Sequence, residues 1–419
     1  MQENSYSKNF EWLISTLVLA LIIIGIFNIY SAEYSDGQEK VIDFSTSVGK
    51  QIIWFGISIL MFIIILILDI RFFINFSYPI YAFTLLLLLA TLIIGKEVAG
   101  SKSWIIFGGF SLQPSELAKF GTVLALARFI DTTDINVAKF KHFAIAFLII
   151  GLPMGLIVLQ NDFGSAIVFS SLFLVLYRQG LPSLFLFTPI LFAILFVLVL
   201  LVNFLFIIGV LVLVAIIFIY FTTNRLRAVF ISLAAIVIVS AFMFSVDHIF
   251  EKVLQPHQQS RINVLLHKEV DLQGSGYNVH QSLIAIGSGG VTGKGFLNGT
   301  QTKFNFIPEQ KTDFIFCTIG EEYGFFGSVG LLVLFIGLIL RILYISEKQK
   351  FRYTRIFGYG VLSIIFLHFA VNIGMTLGLF PVIGIPLPFI SYGGSSLLGF
   401  TLMIGVFLKL ELEYRHYFN

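Results

Sequence analysis

Charge is what this chain has least of. Asp, Glu, Lys and Arg together make up 12% of its 419 residues, about half the share of an ordinary soluble domain. A water-soluble chain of that length would divide into two or three domains with charged surfaces. The charges present are too few to cover them. The net charge of +3 is also too slight to imply a nucleic-acid partner. The one cysteine, Cys317, cannot close an internal disulfide, so cysteine usage says nothing about redox compartment. No His/Cys cluster has zinc spacing, no nucleophilic triad can be assembled from spacing, and no internal repeat stands out.

Apolar residues fill the space that charge leaves. They occupy 58% of positions, roughly 240, and mean hydropathy is +0.96. At ~20 apolar residues per crossing, that allows at most about 12 membrane spans. Apolar runs recur at about 12–30, 51–69, 77–95, 117–130, 142–159, 163–178, 184–202, 204–222, 227–246, 325–345, 356–376 and 393–410. The fold class expected is all-α: a polytopic helical membrane protein of about 12 helices, with 1–419 as a single integral domain. The first run is longer than a signal-peptide core and follows Glu3 and Glu11, so an uncleaved helix is expected.

Cytoplasmic loops of membrane proteins carry an excess of Lys and Arg. With the N-terminus inside, the inner loops hold Arg71, Arg128, Lys139, Lys141, Arg178, Arg225, Arg227, Arg341, Lys348, Lys350, Arg352, Arg355, Lys409 and Arg415. The short outer loops hold only Lys40, Lys50, Lys96 and Lys102, alongside Glu33, Asp36, Glu39, Asp43 and Glu97. Both termini are therefore expected in the cytoplasm. The long polar segment 247–312 then lies outside, and loops of that length are usually functional.

Several constellations can carry chemistry. In Pro308-Glu309-Gln310-Lys311-Thr312-Asp313 a polar loop enters an apolar helix. A partly desolvated Asp313 there suits a general base. Thr312 or Asp313 would equally serve as an N-cap. Lys119 lies one turn inside a helix opened by Pro114, where the dipole disfavours a cation, and Glu116 is placed to pair with it. Intramembrane charges are functional candidates, and a snorkelling lysine in a neutralised pair is the plainer reading. Asp162 reads as a turn residue or cap. The stretch Gly287 to Gly299 fails the Walker pattern at Ser288 and Gly295, so it reads as a tight turn. Its backbone N–H groups could also cradle a diphosphate. Glu321 and Glu322 read simply as marking an interface.

Five motifs in order then resemble one family. They are Gln113 to Lys119, Gln160-Asn161-Asp162-Phe163-Gly164-Ser165, Gln281 to Gly290, Pro308 to Phe314 followed by Gly320-Glu321-Glu322-Tyr323-Gly324, and Gly384 to Ser396. Together they look like the SEDS family (shape, elongation, division and sporulation). Gly299-Thr300-Gln301 resembles the elongation branch more than the division branch. The resemblance implies a peptidoglycan glycosyltransferase that polymerises lipid II on the outer face of the cytoplasmic membrane. It implies a class B penicillin-binding protein as transpeptidase partner, and elongation-complex proteins around it. Asp313 matches the family's presumed catalytic aspartate, Glu116 and Lys119 its cavity pair, and Asp162 its acidic turn residue. Gln281 and Glu309 fall within matched motifs and join the substrate-binding set.

Two departures stand out. The family usually has ten helices, so an inserted hairpin is expected at 183–222. Asn161 and Lys311 stand where Pro and His are common.

Under this resemblance the reaction is inverting transfer to a GlcNAc 4-hydroxyl, with undecaprenyl diphosphate leaving. Lys119, Arg261, Lys303 and Lys311 are candidates to stabilise the leaving diphosphate. A divalent cation (Mg or Mn) near Asp162 or Glu309 is a weaker expectation. The rivals are a lipid II flippase, which charged intramembrane pairs also suit, and a division or sporulation polymerase of the same family.

Overall fold

The structure is a computed structural model that describes residues 10–34, 44, 46–98, 100–107, 110–132, 135–202, 204–248, 252, 259, 263, 275–304 and 306–418. Arg261 and most of the polar segment's first half lie outside the described residues.

All twelve apolar runs are helical. Backbone groups in hydrocarbon must bond within their own segment, which leaves the helix as the only local solution. The helices in chain order are α1 (Trp12–Glu33), α2 (Ser47–Ile67), the short α3 (Ile70–Asn75), α4 (Ser77–Ile94), α5 (Pro114–Asp131) and α6 (Phe140–Leu159). There follow α7 (Phe163–Ser170), α8 (Phe173–Arg178), α9 (Ser183–Leu201), α10 (Phe204–Phe221), α11 (Arg225–His248), α12 (Ser275–Ser288) and α13 (Thr300–Lys303). The last three are α14 (Ile315–Lys348), α15 (Arg352–Thr376) and α16 (Gly394–Phe418). Among the described residues, 8 helices are long and apolar enough to cross a membrane. The run at 163–178 is two helices, because Ser171 and Leu172 bond three residues back and tighten the turn.

Polar residues set the starts. Thr46 accepts from the Gly49 N–H at 3.2 Å, Asp69 from Arg71 at 2.7 Å, and Pro114 opens α5 at a position where its missing N–H costs nothing. The run of loop before α5 is not irregular, as an all-helical reading would have it. It forms three short antiparallel strands, β1 (Lys96–Val98), β2 (Ser101–Phe107) and β3 (Phe110–Leu112), in that order in the sheet.

The chain divides into two compact units. One is Pro182–Gly276, in which α11 packs on both α9 and α10. The other comprises Met1–Leu181 and Tyr277–Asn419. Its centre is built from α5, α15 and α16. The most apolar window of α16 is 89% buried and that of α15 67%, against 17% for α2, so the former are interior and α2 is peripheral. Small residues allow the close fit. A Cβ on Gly360 of α15 would come within 2.5 Å of Val123, and one on Gly121 of α5 within 2.7 Å of Thr84.

Alternating helix directions gather the loops of this unit at two ends. At one, Glu11 pairs with Arg341 and Arg415, Arg178 with Glu347, and Ser77 bonds Tyr353 at 3.1 Å. The other end collects the three strands and the five motifs.

Candidate active site

The segment 308–314 is held by its carbonyls. Lys311 O accepts from the Tyr392 N–H at 2.9 Å, Thr312 O from the Ser391 hydroxyl at 2.6 Å, and Asp313 O from the Asn372 amide at 2.8 Å. The same Asn372 Nδ2 donates to Ile385 O at 2.7 Å, and Ser391 Oγ accepts from Leu387 N at 2.8 Å. Thus the loop from 384 to 392 straps Lys311 and Thr312, and Asn372 of α15, which also grips that loop, holds Asp313. Gly384 has φ +73°, and a Cβ there would lie 3.5 Å from Asp313 Oδ2, so this glycine borders the carboxylate. Asp313 itself remains half-buried. It does not cap the helix that follows. The N-cap of α14 is Phe314, with no side-chain cap bond. Burial pushes the Tyr392 phenol up, with the Glu33 charge adding to the effect.

The second cluster lies between α5 and α15. Lys119 Nζ sits 2.8 Å from both carboxylate oxygens of Glu116 and 2.9 Å from His368 Nε2. Only the Oε1 contact has good hydrogen-bond geometry. The Phe400 ring closes the cluster, 5.2 Å from the ammonium and 5.0 Å, edge-on, from His368. Lys119, Glu116 and His368 are 0%, 2% and 1% exposed. The pair inferred from the sequence is therefore present but sealed. His368, 249 residues away in sequence, gave no signal there.

Asp162 caps α7 through Ser165 N at 3.0 Å. Its other oxygen accepts from Gln113 Nε2 and Ser165 Oγ, each at 2.9 Å. It thereby joins the Gln113 and Gln160 motifs. Gln113 N in turn donates to Ser395 Oγ at 3.0 Å, which brings in the last motif.

The glycine stretch is no open cradle in this structure. Lys294 N and Gly295 N donate to Glu321 O and Glu322 O at 3.0 and 2.9 Å, and Gly293 N to Gly289 O at 2.9 Å. These N–H groups, which the sequence left free for a diphosphate, are taken. The partner helix makes room by breaking at Gly324, with φ 62° and ψ −154°. The Glu321 carboxylate, fully buried, accepts from the N–H groups of Thr300, Gln301 and Thr302 at 2.7, 2.9 and 3.0 Å and from Lys294 Nζ at 2.7 Å. It holds the start of α13. Glu322 bonds Ser31 and the Leu297 N–H.

The other candidates are more accessible. Lys311 pairs with Glu33 at 3.0 Å and stays 30% exposed at its side chain. Lys303 stands 5.9 Å from the Tyr34 ring. Glu309 is exposed and accepts from Thr312 Oγ1 at 2.8 Å. Gln281 is half-buried on α12, which Ser282 ties to Thr376 O at 3.0 Å. Among the described residues no three His, Cys, Asp or Glu side chains group to hold a metal, and the Asp162 oxygens are engaged by neutral donors. Such a donor set does not fit a resident divalent ion.

Comparisons with known proteins show the chain's family. The family described as cell cycle proteins, FTSW_RODA_SPOVE, matches residues 11–206 and 178–416. The chain is 34% identical to the peptidoglycan glycosyltransferase RodA of Treponema pallidum, over 97% of this chain and 98% of that one. It is also 34% identical to the peptidoglycan glycosyltransferase MrdB of Escherichia coli K12, over 79% and 76%. The solved structure of Thermus thermophilus RodA superposes with TM-score 0.62 at 25% identity, covering 97% of each chain. A chain of a peptidoglycan synthase complex, solved for its coordination of polymerization and crosslinking, superposes with TM-score 0.69 at 24% identity, covering 97% and 98%. On this evidence the chain belongs to the FtsW, RodA and SpoVE family, the SEDS proteins.

Proposed function

We infer that this chain is a peptidoglycan glycosyltransferase that polymerises lipid II during cell elongation. Asp313 is the general base. It takes the proton of the acceptor GlcNAc 4-hydroxyl as that oxygen attacks the lipid-linked sugar of the growing strand. The bond to undecaprenyl diphosphate breaks with inversion, leaving a β-1,4 link. The observation that carries this reading is the half-buried Asp313 carboxylate on a backbone fixed by three hydrogen bonds. A fixed base near the reacting oxygen needs no reorganisation at the moment of transfer.

Charge developing on the leaving diphosphate calls for cations. Lys303 and Lys311 are at the same end of the bundle and partly accessible, whereas Lys119 is sealed. Lys119, a candidate read from the sequence, is therefore not proposed for that role. A divalent cation, where used, arrives with the diphosphate rather than residing in the protein.

The loop-end charge asymmetry supports a cytoplasmic-membrane protein with both termini inside and Asp313 at the outer face. The family relationship supports a class B penicillin-binding protein as partner. The test is the purified chain, with and without that partner, acting on labelled lipid II. Asp313→Asn keeps size and polarity but cannot take the proton, and should cost about 10²–10⁴-fold in rate. Polymer formed at near wild-type rate by that variant would remove the catalytic assignment and favour lipid transport instead.

A further inference from the structure

Helix α15 presents two polar side chains one turn apart, and each grips one of two adjacent carbonyls of the strap. Asn372 Nδ2 donates to Ile385 O at 2.7 Å, and His368 Nδ1 lies 3.0 Å from Pro386 O. A carbonyl can only accept, so Nδ1 carries the proton. Nε2 is then the lone-pair nitrogen, and it faces the Lys119 ammonium at 2.9 Å, which can only donate. The imidazole therefore bridges a buried cation to the strap. The strap in turn holds the neighbouring Thr312 carbonyl through the Ser391 hydroxyl, and Asn372 holds the Asp313 carbonyl. Lys119, at 0% exposure, has no path to a substrate in this arrangement.

From this geometry we propose that Lys119 and His368 are positioning residues, which place the Asp313 carboxylate through the 384–392 strap and touch no part of the diphosphate. The ammonium gives its protons to Glu116 and to His368 Nε2, and His368 passes the constraint to Pro386 O. A phenylalanine at 368 would fill the space beside Phe400 and lose both links. An asparagine there would keep a donor for Pro386 O, while its amide oxygen, on a shorter side chain, falls short of the Nε2 position that meets Lys119. This proposal rests on the lipid II polymerase reading, and the wild-type control separates the two. If wild-type protein makes no polymer, that reading fails. If it does, the variants judge the proposal.

The experiment measures kcat and KM for lipid II with full-length His368→Phe, His368→Asn and the double variant Glu116→Gln/Lys119→Met, which removes the cation without leaving a bare carboxylate. Each is checked for monodispersity and thermal midpoint. A misplaced catalytic group loses turnover, so kcat should fall about 10–100-fold, with KM within about twofold of wild type. The asparagine and phenylalanine variants should be similarly impaired. Should His368→Phe not be recovered folded, His368→Asn and the double variant carry the same test. A loss expressed mainly in KM for the double variant would mean that Lys119 contacts substrate and would overturn the proposal. So would His368→Asn turning over at wild-type rate.

Discussion

A lysine and a glutamate sealed at 0% and 2% exposure stand or fall together. Taking one partner from a buried ion pair leaves an uncompensated charge and costs about 3–5 kcal/mol, whereas replacing both by neutral groups of similar volume is often neutral or stabilising. Glu116→Ala should therefore lower the thermal midpoint in detergent far more than Glu116→Gln/Lys119→Met does. Equal midpoints for the two would mean that the pair opens to water. At this scale the sequence was legible where partners are close along the chain. The three-residue spacing of Glu116 and Lys119 marks a pair on one helix face, and a polar residue ahead of an apolar run marks Asp162 as a cap. It was silent on His368 and Asn372, whose partners lie on other elements. No local rule links residue 368 with 119, or 372 with 313. The Asp313 cap reading failed for a related reason: tertiary bonds from Asn372 and the strap fix that backbone, and α14 starts one residue later.

The elements themselves follow from long apolar runs, which is why every helix expected between 12 and 410 is present. The three strands were missed because β1 and β3 have three residues each and show no alternation that a pattern could reveal. The break in α14 was missed too. Gly324 sits in an otherwise helical stretch, and only the packing of the 289–295 turn against it explains its backbone. A Cβ at Gly324 would come within 2.4 Å of Gly293 N, and its φ and ψ belong to a region open almost only to glycine. Gly324→Ala should cost about 1–3 kcal/mol for the backbone conformation alone, with the steric clash added. It should appear as a lowered unfolding midpoint, and a midpoint equal to wild type would show that the turn and α14 are not locked together. The Glu321 clamp on α13 depends on the same junction, so activity should fall with stability in that variant.

At the scale of the whole molecule, the charge asymmetry sets an orientation that labelling can read. A cysteine at Ser275 should react with an impermeant thiol reagent in whole spheroplasts, and one at Lys348 should react only after lysis. The reverse pattern would invert the topology. Hydropathy and charge carry this information because the bilayer acts on each segment by itself. The meeting of five distant motifs at one end is a property of the packed bundle, and only their co-occurrence in the sequence hinted at it.

The hold of the strap and Asn372 on 311–313 has one more consequence. A carboxylate whose own backbone is bonded at three successive carbonyls cannot travel with its substrate. With Asp313 as the base proposed above, the new end must withdraw after every transfer and the next acceptor must arrive at the same oxygen. On that proposal the enzyme is a stationary die, and the strand is drawn past it. The stroke of the cycle then belongs to the lipid-borne ends moving in the bilayer, so stiffening the membrane should slow chain extension while leaving the first transfer to a pre-bound acceptor unchanged.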